Sequence, residues 1–390
     1  MTLAGQRILD LSELRASHAP LAGPKMARLG QLAATGWRVP DGYAITAGAL
    51  DGWLPAAARA ELERLFTATA AGGDGGHEDL ASLAEPARRL IESQPLPAWL
   101  EDAVADAHAR LELRTGHGGA AANAAPLRVA VRSSAVGEDG HAASFAGQYE
   151  TYLGVSGVTE VLRHIRKCWA SGYSARALAY RRRFGGAGPP MHNTRGAHDL
   201  AVGVLELVDA RSAGVAFTLD PVTGDRSTLV VEGNWGFGES VVSGHVSPDH
   251  WTVDRGTWRV LTERTGAKQA WAAFSAEAGR VVLEPLPAGL AGRLCLSADE
   301  VRYICQRAAA IEAAEGMPQD VEWAIARGME FPGSVFFLQH RPETTWRTPP
   351  ARQTATAESD PAESDPAEAE PKAFDPVQYA LRNVFKVPGT

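Results

Sequence analysis

Apolar positions near the start of the chain recur at helical spacing. In "LAGPKMARLGQLAATGWRVPDGYAIT", Met26, Leu29, Leu32 and Ala33 share one helical face, Pro24 suits the first turn and Gly36 suits the stop. "VPDGYAIT" then reads as a turn into a strand. Residues 50–115, rich in Ala, Leu, Glu and Arg, predict mostly helix, interrupted at "AAGGDGGH" and "RTGHGGAAANAA". "VAVRSSAVGEDGHAASFAGQYETYLGV" begins as a buried strand, delivers Arg132, and passes into a loop of small residues. Val158 to Arg183 predicts a basic helix closed by "GGAGPP".

At about Leu200 the pattern turns strand-rich. "LAVGVLELV", "GVAFTL" and "STLVVEG" are short β-type runs, and "DPVTGD" makes the last two a hairpin. A helix follows over Ser297–Glu315, with Val301, Ile304, Cys305, Ala308 and Ile311 on one face. "DVEWAIA" and "SVFFLQHR" predict two further strands. From Pro349 the apolar content drops. The tandem ESDPA–ESDPA has nothing to bury, which predicts an acidic linker over 348–373. "FDPVQYALRNVFKV" then predicts a short amphipathic helix within 374–390, with Asp375 as N-cap and Pro376 at the first position. Two readings of that helix stand side by side: a frayed terminus folded back on its own domain, or a partner-docking segment.

Composition narrows the classes. The 390 residues are 45% hydrophobic and 22% charged, which is globular and long enough for two or three lobes. A net charge of −8 disfavours a general nucleic-acid role. Six carboxylates lie between Glu358 and Glu370 with no Lys or Arg among them, so the rest of the chain is nearly balanced. Three widely spaced cysteines, Cys168, Cys295 and Cys305, form no metal pattern and suit a reducing compartment. "MTLAGQRILDLSELR" lacks the features of a signal peptide, and no apolar run approaches the ~18 residues of a membrane span. The expectation is a cytoplasmic protein.

Several stretches could carry chemistry. Lys25, at a helix start, opposes the helix dipole and is either a solvated surface charge or one half of an anion site. Asp320 and Glu322 lie on one face of a strand, with Val321 and Trp323 on the other, while Gln339 and Arg341 share a face of the next strand. If these strands pair, two acids, an amide and a guanidinium converge, either as an exposed salt-bridged face or as hard oxygen ligands beside a cation for Mg²⁺-nucleotide chemistry. "EGNWGFGESVVSG" surrounds Glu239 with glycines that let backbone approach a ligand. It matches neither GxGxxG nor GxxxxGK[ST].

Together these stretches resemble the N-terminal nucleotide-binding domain of the phosphoenolpyruvate synthase and pyruvate phosphate dikinase family, which rifampin phosphotransferases share. The matching motifs run in order from Lys25 to Pro342: "GPKMARLGQL…GWRVPDGYAIT", "VAVRSSAVGEDGHAASFAGQYETYLGV", "AGVAFTLDPVTG", "EGNWGFGESVVSGHVSPDHW" and "PQDVEWAI…FFLQHRPET". The resemblance implies an α/β (α+β), ATP-grasp-like fold whose two lobes, 1–199 and 200–347, close on ATP. It implies that Lys25 and Arg132 contact the ATP phosphates and that Arg341 helps phosphoryl transfer. Glu322 and Gln339 match the residues that hold Mg²⁺ and the phosphates, with Asp320 beside them. Glu206 falls at the adenine-side strand linking the lobes, and Thr218 and Asp220 in the phosphate-proximal "FT-DP" stretch. Glu239 belongs to the glycine-rich loop, and Ser133, Gln148 and Thr151 to the segment around Arg132.

Two departures from the family pattern matter. Gly23-Pro24-Lys25 stands where the family often has Gly-Gly-Lys, so Pro24 removes one backbone donor from the phosphate cradle. In the family, ATP phosphorylates a histidine on a swivelling domain, in a Thr/Ser–Cys/Ser–His–Ala context, and none of the 11 histidines here has that setting. The expectation is therefore an ATP-binding subunit of a split dikinase-type phosphotransferase. Its partner carries the histidine and the acceptor site, and the final acceptor is a phenol or alkylphenol, as in phenylphosphate synthase-like systems. The rivals are the nucleotide domain of a phosphoenolpyruvate synthase acting on pyruvate, a direct small-molecule kinase, and a non-catalytic nucleotide-sensing or scaffold subunit.

Overall fold

A computed structural model describes residues 7–50, 53–70, 77–117, 126–135, 150–175, 177–178, 200–242, 244 and 246–346. Two antiparallel sheets organise these residues. The first contains β1 (Ile8–Asp10), β2 (Gly42–Ile45), β3 (Arg128–Ala135), β4 (Thr151–Ser156) and β5 (Leu200–Glu206), in the order β1-β2-β5-β3-β4. The second contains β6 (Ala210–Phe217), β7 (Thr228–Trp235), β8 (Asp249–Asp254), β9 (Val260–Arg264), β12 (Gln319–Ala326) and β13 (Val335–Pro342), in the order β13-β12-β6-β7-β8-β9. β10 (Ala270–Ser275) and β11 (Arg280–Pro285) pair as a separate hairpin.

Alternation decides which face of each sheet is covered. In the first sheet, Val129, Val131, Val202 and Val204 point into a core with Leu100 and Leu111 of α5 (Ala98–Arg114) and Ile165 and Trp169 of α6 (Val158–Ser171). α2 (Ala47–Leu50), α3 (Ala56–Ala70) and α4 (His77–Ser93) complete the helices between β2 and β3. The opposite face is covered by α1 (Ala19–Ala34), whose Met26 and Leu29 pack with Ala44 and Leu205. In the second sheet, Val321, Trp323 and Phe337 pack against the predicted apolar stripe of α8 (Ala298–Glu315). Ser297 caps that helix in a capping box with Glu300, and left-handed Gly316 ends it.

The two sheets meet through a few specific contacts. Leu32 of α1 reaches into the α8 core, and Trp37 packs edge-on to Phe337 with ring centroids 5.2 Å apart. Phe337 N–H donates to the Arg38 carbonyl at 2.9 Å. On the far side, the Arg128 guanidinium of β3 sits 3.7 Å from the ring centroid of Phe274 in the β10–β11 hairpin. Phe274 in turn packs on Gly154 of β4, the extra residue of a β-bulge with φ of 85°.

Two expectations need correction. The lobe boundary does not fall at 199/200, because β5 lies between β2 and β3 as a central strand of the first sheet, and the second sheet begins at Ala210. The helix starting at Val158 ends at Ser171, with Gly172 as its C-cap, rather than running to Arg183. The strands β8 to β11 extend the strand-rich region expected from Leu200. The segment 136–149 with Gln148, and the linker and terminal helix over 348–390, lie outside the described residues. Among the described residues, no helix is long and apolar enough to cross a membrane.

Candidate functional site

The candidate site is built where β3, the start of α1, and the β12–β13 pair face one another. β3 alternates: Val129 and Val131 enter the first core, so Arg128, Arg132 and Ser134 point to the opposite face, toward α1 and the second sheet. Arg132 Nη2 donates to Gln339 Oε1 of β13, a bond that joins the two sheets. Arg132 Nε is buried without a hydrogen-bond partner among the described residues.

β12 and β13 pair as the sequence pattern required, with Asp320 opposite Arg341 and Glu322 opposite Gln339. One detail makes that pairing usable. The register shifts between Glu322 and Trp323, so Leu338 becomes the extra residue of a bulge. Without it, Gln339 would share the face of Phe337, which is core. The bulge turns Gln339 to the side of Glu322 and Arg341 to the side of Asp320.

Arg341 Nε donates to Asp320 Oδ2 at 3.0 Å. Burial pushes the Asp320 carboxyl above the usual carboxylate range, and the Arg341 charge opposes that shift. Asp320 Oδ1 is buried without a hydrogen-bond partner among the described residues. An orphaned carboxylate oxygen beside the Glu322–Gln339 pair offers hard oxygen donors, which suit a divalent cation such as Mg²⁺. Among the described residues, no three His, Cys, Asp or Glu side chains cluster as a metal cage. A magnesium site of this sort needs only one or two carboxylates, because it takes the rest of its shell from water and phosphate.

Lys25 stands at the second position of the helical turn that begins at Pro24. α1 is broken at Gly23, whose φ of 71° and ψ of 159° are open essentially to glycine alone. A Cβ there would overlap the carbonyl oxygen and hydroxyl of Ser134. Burial, and to a lesser extent Glu150, push the Cys168 thiol up, opposed by the Arg132 and Lys25 charges. The contact of Gly23 and Met26 with Ser134 brings the turn carrying Lys25 against the strand carrying Arg132. Gly23→Ala is expected to cost about 1–3 kcal/mol of stability from backbone strain, before any overlap is counted. Thermal melting compared with an ATP titration should show both a lower Tm and weaker ATP binding.

Other expected residues hold different places. Thr218 is fully buried, and its hydroxyl accepts the Gln319 N–H at 2.8 Å, so it ties β6 to β12. Asp220 Oδ1 accepts from the Val222 and Thr223 N–H groups at 2.8 and 3.0 Å and shapes the turn after β6. The hydroxyl of Ser133 donates to the Glu150 carbonyl at 3.3 Å, and Thr151 sits opposite Arg132 on β4. Glu206 ends β5 at the junction of the sheets, where burial raises its carboxyl pKa. Glu239 starts the four-residue α7 (Glu239–Val242), after Gly236 and Phe237 bridge to Ala272 of β10. Sequence reasoning met Ser134 in the Arg132-Ser133-Ser134 stretch but gave it no role of its own.

A family model described as "Pyruvate phosphate dikinase, AMP/ATP-binding domain" matches residues 19–362. The chain is 32% identical over 375 residues to the "Probable phosphoenolpyruvate synthase" of Staphylothermus marinus, covering 90% of this chain and 43% of that relative. It is 35% identical over 338 residues to the protein of the same description from Methanothermobacter thermautotrophicus, covering 85% and 45%. It is also 35% identical over 351 residues to the "Rifampicin phosphotransferase" of a Streptomyces species, covering 90% and 37%. The chain therefore spans less than half the length of these curated relatives.

Proposed function

Because the chain belongs to the pyruvate phosphate dikinase AMP/ATP-binding domain family, with its ATP-grasp-like fold, we propose that it is the ATP-binding subunit of a split dikinase-type phosphotransferase. In this reading a phosphoryl group leaves Mg-ATP for a histidine on a separate chain and then reaches a small acceptor, a phenol or alkylphenol. The observation that carries the nucleotide half is the Arg132–Gln339 bond. It brings a guanidinium from the first sheet to the oxygen donors of the second, next to the Asp320–Arg341 pair.

The division of labour follows from charge. Lys25, Arg132 and Arg341 offset the negative charge of the transferred group, which passes through a loose transition state with charge spread over its oxygens. Arg341 is held in place by Asp320 across the strand pair. Glu322, Gln339 and Asp320 would hold a magnesium ion, which supplies further charge neutralisation on the phosphates. No histidine in these 390 residues has the family's Thr/Ser–Cys/Ser–His–Ala surroundings, so the acceptor histidine of this reading lies outside them. His340 is not placed to stand in for it: the ring is buried, and its Nδ1 is 3.0 Å from Gln319 Oε1.

Pyruvate as acceptor is the second reading, favoured by relatives described as probable phosphoenolpyruvate synthases. One labelling experiment addresses both. The chain is incubated with ATP labelled in its β- and γ-phosphates and with the protein encoded beside it, and then either a phenol or pyruvate is added. Acid-labile label is expected on the partner, discharged by the phenol and absent when Glu322→Ala replaces the wild type. Discharge by pyruvate alone selects the second reading. Acid-labile label accumulating on this chain with ATP alone contradicts the split. ATP binding without transfer to any partner makes the chain a nucleotide sensor.

A further inference from the structure

The start of α1 is capped by a residue from a distant strand. Met26 N–H donates to the Ser134 hydroxyl at 3.4 Å, across 108 residues of sequence, and Ser134 is fully buried. An N-cap normally comes from the residue just before the helix. Here that place is taken by Gly23, which has no side chain to offer, and Pro24 has no N–H. Gly23 instead lets the two backbones touch, since any Cβ would overlap Ser134.

A second contact reaches the same turn from the neighbouring strand. Met26 Sδ fills the space above Gly203 of β5, where a Cβ would overlap it. Gly203 is the direct cross-strand partner of Arg132. The helical turn carrying Lys25 is thus anchored on Ser134, two residues along from Arg132, and on Gly203, the cross-strand partner of Arg132. Neither clasp residue carries charge, and both bear on the separation of the two cations.

We infer that Ser134 is a positioning residue for ATP phosphate binding: through the cap on Met26 it sets Lys25 against Arg132, so that both cations meet the phosphate chain of one nucleotide. This rests on the proposed role of Lys25 and Arg132 as phosphate contacts. A cap that merely held the fold together would affect any ligand alike. A positioning cap is selective for the phosphates.

The test is a titration of the full chain with Mg-ATP and, separately, with adenosine. Ser134→Ala is expected to weaken ATP about 5-fold, the equivalent of losing one cap, and to leave adenosine unchanged. Ser134→Cys, which keeps the volume with a poorer acceptor, should show the same selectivity. In a Lys25→Ala background, Ser134→Ala should change ATP affinity less than 2-fold, because the residue it positions is gone. If Lys25→Ala leaves ATP affinity at the wild-type value, the phosphate reading itself fails. If Lys25→Ala weakens ATP while the Ser134 variants affect neither ligand, or both equally, or add their full effect to Lys25→Ala, the positioning role is overturned.

Discussion

Replacing Arg132 by Ala is expected to slow phosphoryl transfer from ATP by about 10²–10³-fold, or ~2.7–4 kcal/mol of barrier. Two losses combine. The guanidinium charge facing the phosphates disappears, and so does the bond to Gln339 that joins the sheets. The buried Nε, without a partner among the described residues, leaves the group a further donor for a phosphate oxygen. Arg132→Lys keeps a charge but not the planar fork, so it should recover only part of the rate. Single-turnover transfer of label from ATP to the acceptor histidine measures the effect. A wild-type rate in Arg132→Ala would remove Arg132 from the site.

The strand pair that forms half of this site was legible because alternation is a local property. Asp320, Glu322 and Trp323 declare their faces within five residues, and the strands do pair so that the two acids meet Gln339 and Arg341. What made the pair work was less visible. The bulge at Leu338 adds one residue to one strand, and no composition signal in "FFLQHR" marks it. Lys25 alone was ambiguous between a surface charge and an anion contact. The ambiguity narrows only once Gly23 is seen against Ser134, a contact spanning most of the first lobe.

The lobe boundary was misread for a related reason. "LAVGVLE" is as apolar as the strands that follow it, and its partners, β2 and β3, lie far back in the chain. Local pattern names a strand but not its sheet. β9 and β11 were missed because their residues are mostly exposed or half-buried, which gives no clear apolar period. Family resemblance supplied the roles expected of Arg132, Gln339 and Arg341; pattern supplied only the convergence of Gln339 and Arg341 with the two acids, and the Arg132–Gln339 contact came from the structure.

Asp249→Ala is expected to cost about 3–5 kcal/mol of stability while leaving ATP affinity of the folded protein unchanged. Lys268 Nζ lies 2.5 Å from both Asp249 carboxylate oxygens and 2.5 Å from the Arg293 carbonyl, and both charged side chains are fully buried. The same carboxylate accepts the Gly266 and Cys295 N–H groups at 2.9 and 2.8 Å. One aspartate therefore ties the start of β8 to the 266–268 loop and to the segment entering α8. Removing it strands a buried ammonium and two backbone donors, and the uncompensated charge dominates the loss. Adding Lys268→Met to Asp249→Ala should give back part of that loss, because the orphaned charge goes with it. Across the second sheet, β8 stands four strand steps from β13, or about 19 Å at the usual spacing. A destabilisation confined to this pair should therefore shift the urea midpoint without moving the ATP titration. A loss below about 1 kcal/mol would mean that the pair is solvated or replaceable, and an equal loss of ATP affinity would mean that the clasp at β8 reaches the nucleotide site.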